Sequence, residues 1–237
     1  IIAIFQRGLK RMLAYSSLAQ IGYMLLGIGL ANVSGLTATL LHLFNHALMK
    51  GALFLVIAMI FYRTGGTTIR HVTGLGKQMP WTMAAFVIGG LGMIGVPLTV
   101  GFISKWYLIL GSIERGWWPL TMVIVIASLI AVIYIWRVVE AAYFKPRPDD
   151  LPAVEAAPIS LLIPTWILVL ASLYFGINAT SIKYRQYQRS YRSFDRNYQR
   201  YSGQPYRGYS NGRYRYTPRY GSGVHIGGRR GGVYFRF

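Results

Sequence analysis

The chain has 237 residues, of which 54% are hydrophobic and only 13% charged, with a mean hydropathy of +0.38 and a formal net charge of +19. A soluble domain carries about 25% charged residues, so the deficit argues against a water-soluble fold and points to a membrane. Cysteine is absent, which excludes a disulfide framework, thiolate metal sites and iron–sulfur ligation by this chain.

The charge is uneven. Residues 1–182 hold 12 Lys/Arg against 5 Asp/Glu, and residues 183–237 hold 13 against 1. That shift divides the chain into a membrane domain (1–182) and a basic tail (183–237).

The chain opens on Ile1, and "IIAIF" reads as the tail of a helix, so the expectation is the C-terminal part of a longer protein. Residues 12–31 form the first full apolar span, long enough for a hydrocarbon core of about 30 Å, which takes about 20 helical residues. After the turn residues Asn32 and Gly35, a second span covers 36–62. A polar connection, 63–80, carries Arg63, Arg70, His71 and Lys77 and stops at Pro80.

A third apolar stretch runs from Trp81 to Leu110. As one helix it would measure about 45 Å, too long without strong tilt. Gly95, Pro97 and Gly101 fall in its middle, so a helix broken near 95–101 is expected. Residues 117–143 and 159–178 make the fourth and fifth spans. The fold class is therefore an all-α polytopic membrane protein with five transmembrane helices, one of them broken, plus a low-complexity tail. If the spans alternate, Arg7, Lys10 and Arg11, then Arg63, Arg70 and Lys77, then Arg137, Lys145 and Arg147 share one face. The positive-inside rule makes that face cytoplasmic.

Within the second span His42, His46 and Lys50 are four apart. On a helix they form one polar stripe about 12 Å long, with Asn45 beside it. Intramembrane ionisable groups usually mark proton or ion pathways, and a free imidazole titrates near pH 6.5. Structural hydrogen bonding between helices and snorkelling of Lys50 are the plainer alternatives. A His-x-x-x-His metal site lacks a third ligand nearby, so no metal is expected. Lys105, a few residues past the break, either lies in a hydrated pocket at the freed backbone or reaches the interface beside Trp106 and Tyr107. No nucleotide loop or nucleophile–base pair appears, so neither an active site of the chain's own nor a cofactor is expected.

The stretches "LKRMLAYSSLAQIGYML", "HLFNHALMKGALFL", "GLGKQMPWTMAAF" and "GVPLTVGFISKWYL" resemble the proton-antiporter family. It comprises the antiporter-like membrane subunits of NADH–quinone oxidoreductase (complex I) and the large subunits of Mrp-type cation/proton antiporters. The Met-Pro-Trp and Phe-Ile-Ser-Lys-Trp-Tyr-Leu wording is nearest the D-type branch of the Mrp large subunits. The resemblance covers residues 7–145 and implies the last five of fourteen helices. It also implies a relay helix carrying His42, His46 and Lys50, and a terminal exchange lysine at Lys105. Gln20 stands where some relatives have His, and Gly8 where an acidic residue usually precedes Leu-Lys-Arg.

The implied function is the C-terminal part of a proton-translocating subunit, moving protons through intramembrane His and Lys in a multi-subunit antiporter or complex I-like assembly. Its implied partners are the other subunits, protons and Na⁺ or K⁺, and its implied place is a bacterial plasma membrane. The rival is a non-transporting scaffold whose tail binds anionic lipid or nucleic acid.

The tail matches nothing in that family. Tyr184, Tyr187, Tyr191, Phe194, Tyr198 and Tyr201 recur at helical spacing between arginines. That pattern predicts an interfacial helix on anionic lipid, with nucleic acid the less favoured partner. From Gly203 onward low complexity predicts disorder.

Overall fold

The computed structural model describes residues 2–178 and, in the tail, 223–228 and 231–236. The chain divides into two units, Ile1–Arg189 and Ser190–Phe237. In the first, a 3₁₀ turn (Ile2–Phe5) precedes α1 (Leu9–Gly29), α2 (Val33–Thr64), the short α3 (Ile69–Val72) and α4 (Leu75–Gln78), α5 (Pro80–Ile94), α6 (Val100–Glu114) and α7 (Trp118–Tyr143). The last helix, α8, spans Ile159–Asn178.

Four of these helices, α1, α2, α7 and α8, are long and apolar enough to cross a membrane. The α5–α6 pair makes the fifth, interrupted span where the sequence predicts one. The described unit is a multi-pass membrane fold, and its surface shows which solvent it was built for. On α2 the residues turned outward are Leu36, Leu40, Leu43, Phe44, Phe54 and Phe61, while His42, Asn45 and Lys50 are buried. Polar groups inside and hydrocarbon outside is the arrangement that lipid favours.

Helix ends are finished by specific contacts. Asn32 caps α2, its Oδ1 accepting from the Gly35 amide at 2.8 Å. Its Nδ2 donates to the Gly111 carbonyl (2.8 Å) and to Glu114 Oε2 (3.2 Å), while Ser34 Oγ donates to Glu114 Oε1 (2.6 Å). Arg115 reaches the carbonyls of Leu30 and Ala31, just past the last turn of α1. Glu114 and Arg115, whose charges cancel in the loop count, are both committed to the α1–α2 turn. Pro80 opens α5, a position where its missing N–H costs nothing.

The three basic clusters meet at the opposite end. The Leu9 amide donates to Thr67 O and the Ile69 amide to Arg7 O. Arg137 Nη1 donates to the Ile4 carbonyl (2.7 Å), and Arg63 to Ala156 O and Glu155. Arg70 pairs with Asp150. Arg147 holds the carbonyls of His71 (2.9 Å) and Thr73 (3.2 Å), and burial lowers its guanidinium from the ordinary value.

In the second unit, β1 (Gly223–Gly228) pairs antiparallel with β2 (Gly231–Arg236), in a register that sets Val224 opposite Phe235 and Ile226 opposite Val233. The low complexity of this stretch predicts disorder, not strands. Both segments alternate apolar residues, Val224/Ile226 and Val233/Phe235, which is the strand period; the glycine-rich composition obscures it. The interfacial helix expected over 184–201 and the low-complexity stretch up to 222 lie outside the described residues.

Candidate functional site: a buried histidine and lysine file at a broken helix

The break is a short segment with a defined path. α5 stops at Ile94, and Gly95 takes a left-handed conformation (φ 88°) open to a residue without Cβ. Pro97 cannot continue a helix, Leu98 has a positive φ of 75°, and α6 starts at Val100. At Gly101 a Cβ would collide with the Gly92 carbonyl, so only glycine lets the two half-helices lie this close.

A helix C-terminus leaves four carbonyls without intrahelical partners, and here all four are accounted for. Leu91 O accepts from the amides of Gly95 (3.0 Å) and Val96 (3.1 Å), and Gly92 O accepts from Gly95 (3.1 Å). The last two, Met93 O and Ile94 O, each accept from Lys105 Nζ at 2.8 Å. Lys105 is 5% exposed, so it does not reach the interface. It leaves the outer face of α6 to Trp106, which is 48% exposed. Its ammonium also sits 5.3 Å from the centre of the Tyr23 ring.

The stripe predicted on α2 faces this break. His42 Nδ1 lies 2.8 Å from Ser104 Oγ, one residue before Lys105, and His42 Nε2 lies 2.9 Å from Gln20 Oε1. With the Gln20 oxygen turned to the ring, Nε2 donates to Oε1; at Nδ1 the partner is the Ser104 hydroxyl, which also lies within donating distance (3.2 Å) of the Gly101 carbonyl. The resemblance leaves Gln20 as a gap in a relay. In the structure it is the residue that orients His42.

Tyr23 packs edge-on against His42, ring centroids 5.6 Å apart, and so touches both His42 and Lys105. His46 stacks one turn on, 6.4 Å from His42 and nearly parallel. Its Nε2 is buried with no hydrogen-bond partner among the described residues. Lys50 Nζ ends the file, donating to the Leu13 carbonyl (2.7 Å) and to the Ser16 hydroxyl of α1. Asn45, beside the stripe, donates to Val100 O at 2.7 Å and so pins α2 to the start of α6.

Sequence reasoning placed His42, His46, Lys50 and Lys105 but missed Ser16 and Ser104. Their signal was slight: small hydroxyls at "YSSLAQ" and "FISKW", the second adjacent to a buried lysine. Among the described residues no group of three or more His, Cys, Asp or Glu could hold a metal ion, and the three carboxylate salt bridges lie away from this file.

A family model described as "NADH:quinone oxidoreductase/Mrp antiporter, TM" matches residues 1–131. The chain belongs to this family. It is 43% identical over 189 residues to NADH-quinone oxidoreductase subunit N of Desulforudis audaxviator, covering 75% of this chain and 38% of that protein. Among solved structures it resembles a chain of the archaeal membrane-bound sulfane sulfur reductase, a respiratory membrane complex (37% identity, TM-score 0.69, 74% of this chain and 29% of that one). It also shares the fold of a chain in the Mrp complex of a Dietzia species (23% identity, TM-score 0.70, 76% and 42%). The chain thus spans well under half the length of the relatives it matches.

Proposed function

We propose that this chain is the proton-conducting C-terminal portion of an antiporter-like subunit in a multi-subunit respiratory or antiporter assembly. Protons would move along Lys50, His46 and His42 to Lys105. The carrying observation is that four ionisable side chains from two helices gather in one file, with His42, Lys50 and Lys105 buried against carbonyls, hydroxyls and an amide, His46 half-buried between them, and no carboxylate among the described residues paired with any of the four. Such groups are costly at membrane depth without a pathway to serve.

Each member has a role in this reading. Lys50 exchanges protons on the side of the basic loops, near Ser16. His46 offers an unpartnered ring nitrogen as the next acceptor. His42 passes a proton between its two nitrogens, held in orientation by Gln20 and linked through Ser104 to the turn that carries Lys105. Water can bridge the longer steps. The 43% identity to a subunit N supports that branch over the D-type Mrp branch suggested by the Met-Pro-Trp wording. The partners would then be the remaining membrane subunits, and the basic end of the bundle would face the cytoplasm.

The test is proton translocation by the assembled complex. Lys105→Ala should reduce it to background while the chain still assembles at ambient temperature. Normal flux from a well-assembled variant would sink the pathway.

A further inference from the structure

The basic end of the bundle carries more positive charge than its carboxylates balance. Among the described residues the ion pairs there engage Arg63, Arg70 and Lys145, and Arg137 and Arg147 donate to backbone carbonyls. The side chains of Arg7, Lys10 and Arg11, exposed around the start of α1, enter none of those ion pairs. Beneath Lys10 opens a groove of about 600 Å³, floored by Phe54, Ala58 and Phe61 of α2 and walled by Leu161 of α8. Lys10 Nζ stands 4.5 Å from the centre of the Phe61 ring, and Tyr62 lines the same end. From Phe61 to Phe54 is two helical turns, about 10 Å towards the membrane interior.

We infer that this groove is a binding site for one anionic phospholipid, its phosphate on Lys10 and an acyl chain laid along Phe61, Ala58 and Phe54. The floor is apolar, and the small Ala58 is exposed in it, which leaves room for a hydrocarbon chain. The mouth is a cation with no carboxylate partner, and basic pockets between transmembrane helices on the cytoplasmic side suit acidic headgroups. Arg7 and Arg11 add positive charge nearby, so a headgroup that brings its own ammonium is the poorer fit. Another transmembrane helix in the groove would cover Lys10 with hydrocarbon and supply no counter-charge. A lipid supplies the phosphate and leaves the ammonium at the interface, with its stem on the Phe61 ring. Arg11 lines a second recess of about 420 Å³ with Gln6, Ala14, Tyr15 and Leu18, so the pattern of a cation over an apolar hollow recurs on α1. Bound beneath Lys10, the lipid fills the gap between α1 and α8 and neutralises charge where the three basic clusters meet. The inference does not depend on the proton pathway.

The experiment is photolabelling of the full chain in its membrane assembly. The assembly is reconstituted into phosphatidylcholine vesicles containing a trace of phosphatidylglycerol or of phosphatidylcholine, each carrying the same diazirine acyl chain. After irradiation the labelled residues are mapped by peptide mass spectrometry. The phosphatidylglycerol analogue should label the α2 segment from Phe54 to Phe61 and the α8 segment at Leu161 more than the phosphatidylcholine analogue does, and unlabelled phosphatidylglycerol should compete. Equal labelling by the two analogues removes the headgroup from the site. Absence of label there means that protein covers the groove in the assembly. Either result overturns the proposal.

Variants at exposed positions then separate the groove from general surface charge. Lys10→Gln should lower the preference for phosphatidylglycerol about fivefold, the equivalent of ~1 kcal/mol for one basic residue at an anionic surface, and Lys10→Arg should keep it. Ala58→Phe fills the groove without altering charge and should abolish the selective label. Lys77→Gln removes an exposed cation at the same end that does not line the groove, and should change nothing. Selective labelling of Ala58→Phe equal to wild type, or a loss in Lys77→Gln as large as in Lys10→Gln, overturns the site.

Discussion

Lys50 and Lys105 are both buried amines held by neutral oxygens, yet the two settings differ in kind. Lys50 leans on an uninterrupted helix. Its acceptor, the Leu13 carbonyl, also receives the hydroxyls of Ser16 (2.8 Å) and Ser17 (3.0 Å). Lys105 sits on a helix end whose last two carbonyls find their donor in its ammonium. At Lys50 the protein supports the lysine; at Lys105 the lysine also supports the protein. One residue type at similar burial can therefore be replaceable for folding in one place and costly in another, depending on whether its acceptors have other donors.

The strongest way to break that comparison is a pair of alanine variants unfolded in choline chloride. Lys105→Ala leaves two buried carbonyls unsatisfied, at about 1–3 kcal/mol each. Lys50→Ala should cost about 1 kcal/mol, because Leu13 O keeps its hydroxyl donors. Both should abolish translocation, but only the first should lower Tm markedly; equal drops would erase the distinction.

A smaller effect sharpens it from the side of the histidines. Gln20→Leu removes the acceptor that sets the His42 tautomer and leaves the ring free to lose its link to Ser104. Translocation per assembled complex should slow about tenfold, the kinetic equivalent of one lost hydrogen bond of ~1.4 kcal/mol, and stability should fall by about 1–3 kcal/mol because the buried His42 N–H loses its acceptor. A rate equal to wild type would mean that His42 needs no such guide.

The smallest effect is expected far from either lysine. Asn32→Ala removes the α2 cap and its contacts with Gly111 and Glu114, at about 1 kcal/mol. It should lower Tm by a few degrees with flux per assembled complex unchanged. A transport defect there would show that the α1–α2 turn couples to the file.

Much of this was legible in the sequence because helices in lipid are written locally. The spans fall within a few residues of their predicted bounds, and the break lies between Gly95 and Gly101 because glycine, proline and a long apolar run all point to it. The register of His42, His46 and Lys50 needed only the helical period. What stayed hidden crosses between helices. The contact of Gln20 with His42 spans 22 residues, and that of His42 with Ser104 spans 62. Serines in an apolar run carry no pattern that distinguishes partners from bystanders. The partners of Glu114 and Arg115 across the α1–α2 turn were hidden for the same reason, lying about 80 residues away in sequence. The strands of the tail were missed because glycine dilutes a period that only four apolar residues carry.

The interruption between α5 and α6 has a bearing on time. Its amides and hydroxyl are largely committed: Gly95 and Val96 to Leu91, and the Thr99 amide (3.1 Å) and hydroxyl (2.6 Å) to Val96 O. Asn45 ties the start of α6 to α2. A segment bonded in this way is a fixed socket and not a hinge. What can move there is a lysine side chain and the water around it, on picoseconds to nanoseconds, whereas swinging a half-helix takes microseconds to milliseconds. If turnover at this site is slow, the delay belongs to whatever delivers protons or charge to it, and not to the backbone that holds Lys105.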